Sequence, residues 1–281
     1  MKEIANQNFP NERDLYGVDG VRLINCTFDG VEDGESALKE SKNIRLDSCF
    51  MNLRYPLWHD VAVELNDVTM TDKCRAALWY SWGIKINNSK LLGIKALREC
   101  RGIKISDCEI VSPEFGWKSN DINVKNSSIV SEYAFLLSKD IVLENVNFKG
   151  KYSFQYVENM TIRDSVLDTK DAFWHTKNVT VVNSIVKGEY LAWYSENLTL
   201  KNCKIIGTQP LCYCKGLKLI NCTMEGTDFS FEYSDVDATV QGDILSVKNP
   251  RSGKIVADSI TELIYTDDSK FECNCEIDIR I

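Results

Sequence analysis

Apolar residues recur along this chain in pairs two positions apart, and the pairs return every nineteen residues over most of the sequence. The phrase Gly102-Ile103-Lys104-Ile105-Ser106-Asp107-Cys108 is followed by Asp121-Ile122-Asn123-Val124-Lys125-Asn126-Ser127 and Asp140-Ile141-Val142-Leu143-Glu144-Asn145-Val146. Its first apolar position falls at Val21, Ile44, Val63, Ile84, Ile103, Ile122, Ile141, Met160, Val179, Leu198 and Leu217, and Val236 begins a blurred twelfth. Alternation with period two predicts strands, and a short repeat of such strands cannot bury its own face unless it stacks on its neighbours. The pattern predicts an all-β parallel β-helix of about twelve coils.

Aligned, the repeats become columns. The two apolar columns of the phrase should point inward, and Phe28, Met51, Met70, Leu91, Ile110, Ile129, Phe148, Leu167, Val186, Ile205 and Met224 should form a second interior wall. Between them stands an asparagine ladder: Asn25, Ser48, Asp67, Asn88, Asp107, Asn126, Asn145, Asp164, Asn183, Asn202 and Asn221. Asn and Asp tolerate a tight bend and can bond along the column, so the ladder is expected to be structural and buried. With this ladder, residues 20 to 245 resemble the pectin-lyase-like superfamily, which implies a right-handed, single-stranded β-helix. Asp33-Gly34-Glu35-Ser36, Leu53-Arg54-Tyr55-Pro56-Leu57-Trp58-His59 and Cys74-Arg75-Ala76-Ala77-Leu78-Trp79-Tyr80 resemble the signature of an uncharacterised, mainly bacterial family of compact proteins within it. That narrower resemblance implies no particular reaction.

The repeat argues for one domain over residues 1–281: an N-terminal cap at 1–19, coils at 20–242 and a C-terminal cap at 243–281. Twelve coils at the strand spacing would make a rod roughly 58 Å long. A net charge of -8 without a Lys/Arg-rich stretch speaks against a nucleic-acid partner. There is no apolar span or leader-like start, so the expectation is a cytoplasmic protein without a membrane partner. Of the eleven cysteines, Cys26, Cys49, Cys108, Cys203 and Cys222 share a column beside the ladder and read as small core residues. The pairs Cys212/Cys214 and Cys273/Cys275 lack structural-zinc spacing, so no metal and no cofactor is expected.

Candidate chemistry lies in the third strand of each coil. Trp58, Trp79, Trp117, Trp174 and Trp193, five of the six tryptophans, occupy one column with Lys39, Arg98 and Gln155. The next column, Glu40, His59, Tyr80, Glu99, Lys118, Leu137, Tyr156, His175, Tyr194 and Tyr213, holds both histidines. The preceding column, including Leu38, Leu57, Leu78, Leu97, Phe135, Phe154 and Phe173, is apolar and should point inward, which turns the tryptophans outward. The rival arrangement encloses the indoles. An outward aromatic strip would suit a saccharide, with polar neighbours binding hydroxyls.

Two enlarged turns, residues 30–36 and 71–76, flank one corner near the N-terminal end of the repeat, where loops on a rigid scaffold favour a site. The candidate catalytic residues there are Asp33, Glu35, Glu40, His59 and Glu99; the candidate substrate-binding residues are Arg54, Tyr55, Trp58, Arg75, Trp79, Tyr80, Arg98 and Trp117. Neighbouring rungs place Glu40 and His59 ~5 Å apart, and His59 and Glu99 ~10 Å apart. Retaining glycosidases use carboxyl pairs ~5 Å apart and inverting ones ~6.5 to 9.5 Å apart, while a uronide lyase would use Arg or Lys. No G-H-G motif of a polygalacturonase is present, and the acids match no pectate-lyase calcium site. The function expected is therefore carbohydrate binding or carbohydrate-active chemistry, glycoside hydrolase-like or polysaccharide lyase-like, on an oligosaccharide. The alternative is a non-catalytic scaffold whose Trp/Tyr strip contacts another protein or a second copy of the chain.

Overall fold

The paired apolar positions form the inward side of one strand in every coil, and these strands stack in register. Residues 1–30 and 35–280 are described by the computed structural model. Among them the chain is all-β, a right-handed parallel β-helix of about fourteen turns. It divides into two compact units, Met1–Val142 and Leu143–Ile281.

In the first unit Lys42–Asp47, Val61–Asn66, Trp82–Asn87, Arg101–Ser106 and Asn120–Lys125 pair in parallel, with Val63 opposite Ile84, Ile84 opposite Ile103 and Ile103 opposite Ile122. In the second unit Glu158–Arg163, Lys177–Val182, Glu196–Lys201 and Leu217–Glu225 do the same. The interior walls are buried as their columns predict, from Leu23, Phe28 and Leu38 to Leu219, Ile205 and Leu211. Gly116 interrupts the Leu/Phe column for a packing reason: its φ is +77°, and a Cβ there would stand 2.7 Å from the Phe135 ring. Its lack of a side chain lets Phe115 and Phe135 meet edge to face at 5.6 Å.

The asparagine ladder exists, but it is exposed and not buried. All eleven members adopt left-handed φ between 47° and 56°. The side chains bond along the column, as where Asn183 Nδ2 donates to Asp164 Oδ1 at 3.2 Å and Asn202 Nδ2 to Asn183 Oδ1 at 3.1 Å. What lies buried is the next column. There Ser127 Oγ accepts the Cys108 N–H at 3.0 Å, and Cys203 Sγ donates to the Val181 carbonyl at 3.4 Å. A second left-handed column, missed in the sequence, precedes each first apolar residue: Asn43, Gly83, Gly102 and Asp121 in the first unit, and Asn159, Asn178, Asn197 and Gly216 in the second.

Both segments expected as caps carry parallel strands. Lys2–Ala5 pairs with Val21–Ile24, and Asn25 Nδ2 donates to Asn6 Oδ1 at 2.6 Å, so Asn6 occupies a ladder position. Lys2 sits where other coils carry an apolar residue, which hid this rung. Near the other end, Asp243–Lys248 pairs with Ser259–Ile264, and Ser252–Ala257 pairs with Glu276–Ile279. Val236 faces Gly253, seventeen residues on, and Asp243 faces Ser259, sixteen on. The shortened step erased the nineteen-residue signal.

Candidate functional site

The Leu/Phe column is buried and the tryptophan column half-buried, so the indoles point outward. Their faces, however, are covered by one another. In the first unit Trp58 and Trp79 stack in parallel, 5.2 Å apart with 4° between planes. The Arg98 guanidinium lies 5.0 Å from the Trp79 ring and 5.6 Å from Trp117, filling the gap between them. In the second unit Trp174 and Trp193 stack at 5.4 Å and 3°. Saccharide stacking on the Trp79 faces is therefore blocked, and the indoles offer their edges.

A shared hydrogen bond explains why tryptophan recurs here. Trp58 Nε1 donates to the Ala76 carbonyl at 2.5 Å, Trp79 Nε1 to Lys95 at 2.7 Å, Trp174 Nε1 to Tyr190 at 2.7 Å and Trp193 Nε1 to Gln209 at 2.8 Å. Trp117 makes the same bond to Tyr133, and the Gln155 amide substitutes by donating to Asp171 at 3.4 Å. Each acceptor belongs to a corner residue in left-handed conformation, from Ala76 (φ 51°) and Lys95 (φ 58°) to Gln209 (φ 47°). The outer indole thus satisfies a carbonyl at the bend of the following coil.

The sequence-selected residues divide into those that line one cavity and those that flank it. Tyr55, Trp58, Arg75 and Trp79 line one cavity of about 370 Å³, together with Ala76, Ile94 and Lys95, which sequence reasoning missed. The signal for Lys95 was its place sixteen residues after Trp79, the spacing of the indole bond. Arg75 is exposed, forms no ion pair among the described residues, and lies 5.8 Å from the Tyr55 ring. Lys95 pairs with Glu114 at 3.3 Å. Among the described residues the cavity wall is aromatic and cationic, without a carboxylate.

A second group stands beside that cavity. Arg54 pairs with Glu35 at 3.3 Å across a parallel bridge and holds its guanidinium 5.5 Å from the Tyr55 ring. Arg98 and Glu99 approach to 3.4 Å. Glu40, His59, Tyr80 and Glu99 form an exposed column, with the His59 and Tyr80 rings stacked at 4.9 Å and 14°. Tyr80 and Glu99 line a shallower cavity of about 330 Å³ with Trp82, Arg101 and Lys118. The Glu40 carboxylate beside the Tyr16 hydroxyl raises the pKa of that phenol. Tyr80 separates His59 from Glu99 in the column. Asp33 lies outside the described residues. Directly after His59, Asp60 is fully buried, and its burial pushes the carboxyl up to about 8.

The model of the family described as "Protein of unknown function (DUF3737)" matches residues 2–278. The chain belongs to this family. No functionally curated protein matches the sequence. Among solved structures, DUF3737 residues here align with PfbA, a surface adhesin of Streptococcus pneumoniae, at 11% identity and a TM-score of 0.48, covering 88% of this chain and 81% of that one. They also align with the tailspike protein of E. coli bacteriophage HK620 in complex with a pentasaccharide, at 8% identity and a TM-score of 0.49, covering 98% and 72%. The A-module of the Azotobacter vinelandii mannuronan C-5 epimerase AlgE4 aligns at 10% identity and a TM-score of 0.30, covering 85% and 89%. Likenesses at these scores carry no function to the DUF3737 chain.

Proposed function

We propose that this DUF3737 protein binds an oligosaccharide bearing a carboxylate, in the cavity between Tyr55, Trp58, Arg75 and Trp79. One observation carries the reading: an exposed Arg75 guanidinium, with no ion-pair partner among the described residues, lies 5.8 Å over the Tyr55 ring in a cavity that Trp58 and Trp79 also line. A uronate carboxylate matches the guanidinium fork, the Tyr55 hydroxyl can bond a sugar hydroxyl, and Ile94 and Ala76 offer apolar contact to the ring. Glu35 and Arg54 form an ion pair at the corner, and Arg98 separates two indoles. These roles are architectural. Glu40, His59 and Glu99 lie in the flanking column and would meet the next sugar along the coils. The proposed role is recognition; bond cleavage would call for further groups, and release of reducing ends from polygalacturonate would reveal it.

Titration with uronic-acid and neutral oligosaccharides, followed by tryptophan fluorescence, tests the reading. A saturable response to the acidic series is expected, weakened at least tenfold by Arg75→Ala and unchanged by Trp193→Phe in the second unit. Equal responses to both series, or binding untouched by Arg75→Ala, would sink it.

The scaffold alternative draws on the second unit. There Tyr156, His175, Tyr194 and Tyr213 stack face to face at 4.9, 5.0 and 4.8 Å. Their faces are used up and their edges are exposed, which suits contact with a protein surface. Mass in solution that rises with concentration would favour self-association through this strip.

A further inference from the structure

A different face of the first unit carries two adjacent lysines that form no ion pair among the described residues. Lys85 and Lys104 are exposed and stand opposite one another in the parallel register of Trp82–Asn87 and Arg101–Ser106. Like charges at such positions repel. The preceding rungs of the same column manage their cations. Arg22 meets Glu3 at 3.0 Å and Asp47 at 2.6 Å, while Arg45 meets Asp47 at 2.9 Å and Glu64 at 3.4 Å. Burial alone would raise the Asp47 carboxyl, but its bonds from Arg22, Asn66 and Arg45 outweigh this and hold it below the usual range. Glu64 is the acid one rung from Lys85, and it is engaged by Arg45 and by Asn66 Nδ2 at 3.2 Å. Neither lysine forms a side-chain ion pair or hydrogen bond among the described residues.

Beside them runs a directed chain of hydrogen bonds. Ser106 Oγ donates to Asn87 Oδ1 at 2.8 Å, Asn87 Nδ2 to Asn66 Oδ1 at 2.9 Å, and Asn66 Nδ2 to Asp47 Oδ1 at 2.9 Å. The chain fixes the Asn87 amide with its oxygen engaged by Ser106, so the remaining amide hydrogen is available to an acceptor. Lys85, Asn87, Lys104, Ser106, Asn123 and Lys125 line an open cavity of about 360 Å³. Two ammonium groups and the fixed Asn87 amide in one concavity, with Asn123 beside them, form an electropositive pocket on a chain of net charge -8.

The geometry points to an oxyanion site: a phosphate or sulfate group, free or carried on a small polar molecule, is held by Lys85 and Lys104 with the Asn87 and Asn123 amides. This site is independent of the saccharide cavity, which involves none of these residues. Two point charges suit a dianion better than a monoanion, because both ammonium groups are used at once. The cavity leaves room for part of a carrier molecule.

Nuclear magnetic resonance of the side-chain amides of Asn87 and Asn123 tests the site, with inorganic phosphate, inorganic sulfate or acetate added at constant ionic strength. Phosphate and sulfate should shift these signals saturably and at least tenfold more tightly than acetate. Lys85→Gln and Lys104→Gln should each weaken the dianions at least threefold, while Arg75→Ala leaves them unchanged. A response as strong for acetate, an unsaturable drift, or the same titration in both lysine variants would overturn the assignment. A phosphorylated hexose in a parallel titration distinguishes the carried group from the free ion: tighter binding than phosphate places the carrier in the cavity.

Discussion

Asp60 occupies a buried column otherwise built, in the first unit, of Ser41, Ser81, Cys100, Ser119 and Ser138, and it follows the hydrogen-bond grammar of that column only in part. Its Oδ1 accepts the Ser41 N–H at 2.9 Å and its own N–H donates to Ser81 Oγ at 3.0 Å. Ser81 Oγ completes its own set by donating to the Leu57 and Trp79 carbonyls at 2.9 and 3.2 Å. Asp60 Oδ2 is buried without a partner. A proton on that oxygen would give Asp60 the donor that the serines have, and burial pushes its pKa up to about 8 against about 3.9 in an unfolded chain. The folded state therefore binds the extra proton between these values. The stability contribution of the protonated group is complete below about pH 4, declines as pH rises, and is gone above about pH 8. Asp60→Asn keeps an acceptor and supplies a permanent donor. Relative to the native chain it should gain stability from pH 5 to pH 8.5 by roughly a few kcal/mol, read from urea midpoints at both values. Parallel pH profiles for the two proteins would rule this out.

At the scale of the element, the ladder turn is a conformational requirement more than a buried network. Its residues are exposed, so water can replace a lost side-chain bond, and the left-handed φ becomes the main cost of substitution. Asn183 has φ 50° and donates nothing that solvent cannot reach. Asn183→Leu should cost about 1 to 2 kcal/mol, whereas Asn183→Gly, free of the Cβ penalty, should cost less. Thermal or urea unfolding of the pair checks this, and a glycine variant as unstable as the leucine one would restore the amide bonds to first place. The ladder was readable because each coil needs the same bend at the same step. The second column of left-handed residues was harder to see, since glycine, alanine, asparagine and aspartate all serve there, as at Gly83, Ala62, Asn43 and Asp121.

At the scale of the molecule, parallel stacking within each unit makes each coil the cover of the next. Lys2–Ala5 covers the edge of Val21–Ile24, whose Val21 and Leu23 are buried. Deleting residues 1–19 should expose that edge and produce self-association, because unpaired strand edges recruit other chains. Light scattering would show mass rising with concentration in the truncated protein. A truncated protein that stays at constant mass and melts with the full chain would refute it.

The sequence alone determined the coil, its period and the inward and outward columns, because stacked coils repeat the same local environment every nineteen residues and strand alternation assigns the faces. It also drew together Tyr55, Trp58, Arg75 and Trp79, which the fold does place around one cavity. Only the tertiary structure decided which ring faces remain open. Columns say which side chains are neighbours, but rotamers put Arg98 between Trp79 and Trp117 and close the indole faces. Asp60 drew no notice in the sequence, and packing buries it among hydroxyls. Lys95 and Ile94 entered the cavity through the bend of the next coil, and Lys2 kept its rung despite an unsuitable side chain. In each case the deciding contact lies one coil away, where the repeat gives the position of a residue but not the direction its side chain takes.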